Sequence, residues 1–216
     1  MVSSRNVTLR AYYYFSNLTG TTRVLKCQFD KINSMNKILF HLIAYPAVGK
    51  YTVAQVLKQQ AEGLLIDNHL INNVFFSVTD LNKTLPPQVF GYLNKTYELL
   101  FEYLVSIQPV KPLILTNCLT DDENDLAFVD RVRRFCQEAG YRYFPVRLLL
   151  EESENLNRLS SPERKIKMKL TDPELFKNFC AAHPLIARIP EAKDLDVTGI
   201  SAEETAVAIL KLAAGN

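Results

Sequence analysis

The sequence contains no apolar run of about 18 residues, the length that a membrane-spanning helix needs. A transmembrane helix is therefore not predicted. It also lacks a C-x-x-C pair, and its four cysteines are far apart and lie in or beside apolar runs: Cys27, Cys118, Cys136 and Cys180. We expect buried, reduced thiols, which fits a cytoplasmic location. No set of side chains has the spacing of a zinc site.

Neither sign of charge dominates the sequence, which has 25 Lys and Arg against 23 Asp and Glu and a net charge of +2. This balance, with an apolar content of 48%, is typical of a globular protein and favours neither a nucleic acid nor a membrane as partner. The length of 216 residues predicts one sizeable core. Composition gives no prediction of the oligomeric state.

The first 34 residues differ in charge from the rest. Residues 1–34 carry five basic side chains and one acidic one, a net charge of +4, which leaves −2 for residues 35–216. Three interpretations are open: a basic targeting segment, a flexible tail, or sequence upstream of a translation start at Met35. We favour the third because Met35 leads directly into the first predicted strand. We therefore expect a basic N-terminal extension followed by one domain.

From residue 35 onward, short apolar runs alternate with longer amphipathic ones, which is typical of βαβ units. The predicted strands span residues 37–44, 64–67, 112–118, 143–150 and 194–197. The predicted helices span residues 50–60, 86–105, 125–139 and 201–212, and the charged segment 151–169 has helical propensity. Continuous apolar character in three of the strands implies that both sheet faces are covered. The pattern predicts a three-layer α/β/α domain with a five-stranded, mostly parallel sheet and a helical lid.

The first predicted strand leads through a tight turn to Gly49-Lys50 at the start of a helix. In the phosphate-binding motif G-x-x-x-x-G-K-[ST], backbone N–H groups hold phosphate oxygens, the lysine neutralises the β- and γ-phosphates, and the hydroxyl binds Mg²⁺. Here Ala44 stands at the first glycine position and Tyr51 at the hydroxyl position, with Thr52 one residue later. The position of Gly49-Lys50 between a strand and a helix still predicts an anion site. Its expected contacts are Pro46, Ala47, Val48, Gly49, Lys50, Tyr51 and Thr52.

A carboxylate, Asp67, ends the second predicted strand. The carboxyl ends of parallel strands face one crevice, so Asp67 should lie near the Gly49-Lys50 turn. It would accept a proton from a substrate hydroxyl or help to hold Mg²⁺ through water. Alternatively, it is only the N-cap of the next helix. The following Asn68 and His69 would contact substrate, although His69 is equally well explained as a hydrogen-bonded structural residue.

Two arginines, Arg158 and Arg164, lie in the charged segment after the fourth predicted strand. Residues 161–163 restart a helix between them, so the two guanidinium groups would flank a bend and close over a nucleotide. Phosphoryl transfer needs such cations because negative charge spreads over three oxygens in the transition state. The alternative is a solvated, basic helix face.

These features, in this order, resemble the P-loop small-molecule kinases, a group that includes shikimate kinase, chloramphenicol phosphotransferase, the nucleoside monophosphate kinases and proteins predicted to be kinases or AAA-family ATPases. The resemblance covers residues 36–214, and it is most specific at residues 48–54, 66–69, 161–164, 169–172 and 195–200. It implies a P-loop NTPase fold and the cofactors ATP and Mg²⁺. The implied roles are ATP and Mg²⁺ binding for Lys50 and Thr52, the base for Asp67, lid positions for Arg158 and Arg164, and a border to the adenine for residues 197–200.

The chain departs from the family pattern at two positions. Ala44 replaces a loop glycine, and the third predicted strand ends in Asn117, near the place where many P-loop enzymes have a Walker B aspartate. These departures leave reduced or lost turnover open as an alternative. A catalytically weak or inactive ATP-binding regulatory module is therefore the alternative to an active kinase.

The acceptor half of the expected site lacks arginine, since none occurs between Arg23 and Arg131. Arginine is the usual bidentate partner of carboxylates and phosphates, so a largely uncharged hydroxyl compound is favoured as the acceptor. The side chains that would line its pocket are Asn68, His69, Asn72, Asn73, Phe75 and Phe76. The sequence thus predicts an ATP-dependent phosphotransferase that acts on a small hydroxyl compound, without a nucleic acid or membrane partner.

Overall fold

The computed structural model describes residues 37–79, 86–159, 170 and 172–215. The predicted N-terminal extension, residues 1–34, lies outside these ranges, as does the part of the predicted lid that carries Arg164. The expectations for both segments stay predictions.

A five-stranded parallel sheet forms the centre of the described chain. Its strands are β1 (Ile38–Ile43), β2 (Leu64–Asp67), β3 (Leu113–Asn117), β4 (Arg142–Leu149) and β5 (Lys193–Asp196). Their order across the sheet is β2-β3-β1-β4-β5, and every neighbouring pair is parallel. The carboxyl ends of all five strands therefore lie at one edge, where α/β folds bind their ligands. The predicted sheet is confirmed, and it is parallel throughout.

Seven helices accompany the strands within the described ranges. They are α1 (Lys50–Gln60), α2 (Asn68–Phe76), α3 (Gln88–Ile107), α4 (Glu123–Ala139), α5 (Glu152–Leu159), α6 (Pro173–Ala182) and α7 (Ala202–Ala214). Capping signals at several ends agree with the sequence. Ser201 and Glu204 form a capping box at α7, and Gly140, at φ 71°, ends α4. No helix of this set combines the length and apolar character needed to cross a bilayer.

Helices cover both faces of the sheet. On one face α1 packs against α7 and contacts β1, β2 and β3. On the other face α3 packs against α4, over a cluster of buried side chains that includes Leu39, Leu115, Phe101, Phe128 and Phe135. All residues of β1 are buried, as expected for a strand between two helical layers. The predicted three-layer α/β/α architecture is confirmed.

Candidate functional site

A cavity of about 600 Å³ opens at the carboxyl edge of the sheet. Its wall comes from the β1–α1 loop, the β2–α2 junction, the end of β3, α5 and the start of α7. Most of the predicted site residues line it: Pro46, Ala47, Val48, Gly49, Lys50, Tyr51, Thr52, Asp67, Asn68, His69 and Arg158. The fold thus brings together side chains that are far apart in the sequence.

The β1–α1 loop turns on two residues with positive φ, Ala47 at 67° and Gly49 at 104°. Gly49 is the N-cap of α1, and the first bond within this helix runs from the Val53 N–H to the Gly49 carbonyl oxygen at 3.0 Å. The backbone N–H groups just before Val53 therefore precede the intrahelical hydrogen bonds, and their residues line the cavity. A helix N-terminus in this position attracts an anion.

Lys50 folds back over its own loop. Its Nζ donates to the carbonyl oxygens of Ala44 at 2.7 Å and Tyr45 at 2.8 Å. The ammonium charge is thereby held beside the N-terminus of α1, and Lys50 lines the cavity. Positive charge and helix dipole act together at this point.

Ala44 occupies the first glycine position without a strained backbone. Among the described residues, only Ala47, Glu62 and Gln108 combine a side chain with a positive φ, so position 44 does not require the conformational freedom of glycine. Ala44 is fully buried, and its N–H donates to the Asn117 carbonyl oxygen at 3.3 Å. The small side chain is accommodated in the core below the loop.

Tyr45 anchors the start of the loop to α6. Its hydroxyl donates to the His183 carbonyl oxygen at 2.9 Å, and its ring packs edge-on against Phe176 and Phe179, with 6.3 Å between ring centroids in each case. Partial burial raises the pKa of the Tyr45 hydroxyl, so it stays protonated and keeps donating. Within the described part of the chain, Tyr45 is not among the residues that line the cavity, so its ring does not fill the site.

Asp67 is both an N-cap and a cavity residue. Its Oδ1 accepts a hydrogen bond from the His69 N–H at 3.1 Å, which caps α2 and confirms the N-cap interpretation. The side chain also lines the cavity, where the Thr116 hydroxyl lies 3.5 Å from the same oxygen and 3.4 Å from Asn68 Oδ1. The cap contact uses Oδ1. The cap therefore orients the carboxylate, and the second oxygen, Oδ2, remains for other contacts.

Asn117, at the end of β3, directs its side chain into the core. Its Oδ1 lies 3.0 Å from His41 Nε2, its Nδ2 donates to the Tyr97 hydroxyl at 3.4 Å, and His41 Nδ1 lies 2.9 Å from the Tyr143 hydroxyl. Because Oδ1 can only accept, Nε2 carries the imidazole proton and the Tyr143 hydroxyl donates to Nδ1. Burial lowers the pKa of His41 to about 4, so the ring is neutral at pH 7. Asn117 thus serves a buried network and not the cavity.

The cavity wall includes Phe76, whereas the predicted Phe75 stacks on Tyr92 of α3 with ring centroids 6.1 Å apart. The reason is the helical phase of α2. His69, Asn73 and Phe76 recur at the spacing i, i+4 and i+7, which puts them on one face of the helix. The predicted helix ranges did not include residues 68–76, so the sequence analysis could not separate the two phenylalanines.

Several wall residues were not predicted as site residues, and two of them are Thr116 and Cys118. Both stand at the carboxyl end of β3, and this position was the signal that could have identified them. Cys118 also lies close to Lys50, whose charge lowers the pKa of the thiol, but burial has the larger effect and raises it. The thiol is therefore protonated at pH 7 and contributes a neutral surface.

Arg158 lies near the C-terminal end of α5 and lines the cavity. Its Nη1 donates to the Val48 carbonyl oxygen at 3.0 Å, and its Nη2 pairs with Glu154 one turn earlier. The side chain is 34% exposed, so Arg158 is not part of a fully solvated basic face. It brings a second positive charge to the β1–α1 loop. Arg164, predicted as its companion, lies outside the described residues.

The described residues contain no group of three or more His, Cys, Asp or Glu side chains that would hold a metal ion by themselves. In nucleotide sites, however, Mg²⁺ usually takes one or two protein oxygens and completes its shell with water and phosphate oxygens. Thr52, on the first turn of α1, and Asp67 both line the cavity. A hydroxyl and a carboxylate in one cavity fit this mode of binding.

Solved structures share the fold. The chain is similar to a proposed kinase from Chloroflexus aurantiacus J-10-fl, with a TM-score of 0.58, 16% identity, and coverage of 84% of this chain and 99% of that one. It is similar to a gluconokinase from Sinorhizobium meliloti 1021, with a TM-score of 0.56, 12% identity, and coverage of 84% and 95%. The corresponding values for a sugar kinase from Janibacter sp. HTCC2649 are 0.55, 11%, 83% and 97%. No protein-family model matches the sequence, and no curated protein matches it. The chain therefore has the fold of the P-loop small-molecule kinases, as the resemblance implied.

Proposed function

We propose that this protein transfers the γ-phosphoryl group of ATP to a hydroxyl group of a small, uncharged molecule. The proposal rests on one observation: Lys50, at the N-terminus of α1, and Asp67, at the end of β2, line the same cavity. An anion site and a potential base thus face one volume of about 600 Å³, a size that suits a small-molecule site.

The donor side of the site is the β1–α1 loop. The N–H groups at the start of α1 would bind phosphate oxygens, and Lys50 would exchange the carbonyl oxygens of Ala44 and Tyr45 for oxygens of ATP. Arg158 would add a second cation from α5. Mg²⁺, when bound through Thr52 and Asp67, supplies charge neutralisation at the phosphates.

The base in this proposal is Asp67. Its Oδ1 is held by the His69 N–H, which orients the carboxylate. Oδ2 would accept the proton of the acceptor hydroxyl as its oxygen attacks the γ-phosphorus. The N-cap and the base are therefore compatible roles, because they use different oxygens of one carboxylate.

The acceptor side favours a neutral ligand. Among the described wall residues, the arginine and lysine side chains are Arg158 and Lys50, which both contact the phosphate loop. The α2 face offers Asn73, His69 and the ring of Phe76. Amide and imidazole groups bind hydroxyls, whereas a carboxylate or phosphate acceptor would call for a cation.

A second candidate function is an ATP-binding module with weak or no turnover. The side chain of Asn117, near the usual Walker B carboxylate position, is an amide committed to His41. Among the described wall residues Asp67 is the one carboxylate, so it would have to serve both the metal and the acceptor. Such a protein would bind ATP and convert it to ADP slowly or not at all.

Calorimetry with Mg·ATP, followed by measurement of ADP release with a panel of acceptors, tests the proposal. The sugar kinase similarity makes sugars and polyols the first acceptors to test, with carboxylated and phosphorylated analogues as matched controls. We expect saturable ATP binding and ADP release that depends on a neutral acceptor. Binding without acceptor-dependent ADP release would favour the second candidate, and no binding of Mg·ATP would reject both.

A further inference from the structure

Helix α5 bridges two walls of the cavity. Before its first residue, the Glu151 N–H donates to the Thr198 hydroxyl at 3.1 Å, which ties the start of α5 to the turn after β5. Near its end, Arg158 donates to the Val48 carbonyl oxygen of the phosphate loop at 3.0 Å. Val197 and Ile200 of this turn line the cavity, and so do residues 46–49 of the β1–α1 loop, called the phosphate loop here after its proposed role.

Glu154 contacts both ends of the bridge. One carboxylate oxygen, Oε1, accepts from Arg158 Nη2, and the other, Oε2, accepts from the Gly199 N–H at 3.2 Å. Gly199 has a φ of 69°, a left-handed conformation that glycine adopts readily, so the turn directs this N–H at the carboxylate. The Glu154 side chain is 30% exposed, which shields the pair partly from water.

We propose that Glu154 is a positioning residue of the nucleotide site, which sets the spacing between the phosphate loop and the turn at 197–200 by holding Arg158 and Gly199 at once. This inference rests on the proposed function, because it assumes that ATP lies between these two walls. Within the described part of the chain, Glu154 is not among the residues that line the cavity. It acts through the Arg158 guanidinium and the Gly199 backbone, without touching the nucleotide.

The chemistry of the carboxylate explains why glutamate suits this position. Its two oxygens accept from two donors, whereas glutamine has a single acceptor oxygen and would turn its NH₂ group towards the other donor. Loss of the negative charge would also leave Arg158 less neutralised, and this would strengthen the binding of any polyphosphate. That electrostatic effect acts on ATP and on inorganic tripolyphosphate alike. The spacing of the two walls matters only for a ligand that contacts both.

The ratio of the affinities for Mg·ATP and Mg·tripolyphosphate therefore isolates the positioning effect. We would measure both dissociation constants by calorimetry for the wild type, Glu154→Gln and Glu154→Asp. Aspartate keeps the charge but is one methylene shorter, so it separates reach from charge. The matched control is Glu152→Gln on the same helix, because the Glu152 side chain is 68% exposed and its ion-pair partner is Lys177 at 3.8 Å.

We expect the preference for ATP over tripolyphosphate to fall about fivefold in both Glu154 variants, the size of a partly exposed ion-pair contact, and to stay unchanged in Glu152→Gln. Ratios within about twofold of the wild-type ratio in both variants would overturn the inference, as would a wild type that binds both ligands equally. Thermal denaturation shows whether each variant is folded. If Glu154→Gln is unfolded, the affinity ratio of Glu154→Asp alone tests the inference. A wild type that binds neither ligand rejects the proposed function itself, whereas ATP binding with an unchanged ratio rejects only the role of Glu154.

Discussion

The ammonium group of Lys50 lies 2.7 Å from the carbonyl oxygen of Ala44, the residue that stands at the first glycine position of the phosphate-binding motif. A second hydrogen bond joins the same Nζ to the Tyr45 carbonyl oxygen at 2.8 Å. Both acceptors are neutral, so charged phosphate oxygens would form stronger hydrogen bonds with the same donor. The loop thus holds its lysine close to the place that the proposed function assigns to the phosphates.

Replacement of Lys50 tests this arrangement. Lys50→Ala removes the cation that lines the cavity at the N-terminus of α1, so we expect the dissociation constant of Mg·ATP to rise about hundredfold. Calorimetry measures the change. Lys58→Ala is the matched control, since Lys58 lies in the last turn of the same helix and is exposed. An ATP affinity of the Lys50 variant equal to that of the control would contradict the role assigned to Lys50.

Asp67→Asn separates the base from the N-cap. Asparagine caps helices as well as aspartate does, so α2 should keep its N-terminus, while the amide oxygen cannot take up the acceptor proton. We expect kcat for phosphoryl transfer to fall about 10² to 10⁴-fold, the usual contribution of a general base, with a much smaller change in ATP binding. ADP release and calorimetry on the same variant measure the two effects.

The control for that variant is Asp122→Asn. Asp122 caps α4, where its Oδ1 accepts from the N–H groups of Asn124 and Asp125 at 2.8 and 3.0 Å, and in the described chain it does not line the cavity. Asp122→Asn therefore makes the same substitution at a helix N-cap that has no proposed role in phosphoryl transfer. Equal losses of turnover in both variants would mean that Asp67 acts only as a cap.

The sequence predicted the parts of the fold that depend on local patterns. The bounds of α1, Lys50–Gln60, agree with the prediction because Gly49 and Gly63 bracket an amphipathic segment. Helix α2 was missed because three of its nine residues are asparagine, which has low helix propensity, and its first turn depends on the Asp67 cap.

The sequence could not predict contacts between distant residues. In the sequence, Asn117 stands near the position of a Walker B aspartate. Its hydrogen-bond partner His41 is 76 residues away on another strand, so only the tertiary structure shows that the Asn117 side chain lies in the core. The same holds for Glu154, whose contact with the Gly199 N–H joins residues 45 positions apart. Local spacing identified Lys50, Asp67 and Arg158 as candidates, and the tertiary structure determined their partners.

The neutral His41 predicts a specific dependence of stability on pH. Burial lowers its pKa to about 4 in the folded protein, whereas an unfolded histidine titrates near 6.5. Below pH 6.5 the unfolded chain therefore binds a proton that the folded chain does not bind. The contribution of His41 to the free energy of unfolding is complete above pH 6.5 and is lost as the pH falls towards 4, by about 3 kcal/mol in total.

Urea denaturation of the wild type and His41→Gln at pH 7, 5.5 and 4 measures this dependence. Glutamine does not titrate, so the free energy of unfolding of His41→Gln should fall less steeply than that of the wild type as the pH decreases. The contributions of all other titratable groups are the same in both proteins and cancel in the difference. The gap between the two proteins should narrow by about 3 kcal/mol between pH 7 and pH 4. Parallel curves for the two proteins would show that His41 is not held neutral by the core.

Two glycines should respond in opposite directions to replacement by alanine. A Cβ at Gly63 would lie 2.7 Å from Ile114 Cδ1 and 2.9 Å from the Pro112 carbonyl oxygen, so Gly63→Ala should lower the free energy of unfolding by about 1–3 kcal/mol through overpacking. Gly91 is exposed on α3, and a Cβ there would meet no atom within 4 Å. Gly91→Ala should raise the free energy of unfolding by about 0.5–1 kcal/mol, because alanine favours the helix over glycine. Urea denaturation compares the two, and a loss of stability in both variants would contradict the open position of Gly91 on the helix surface.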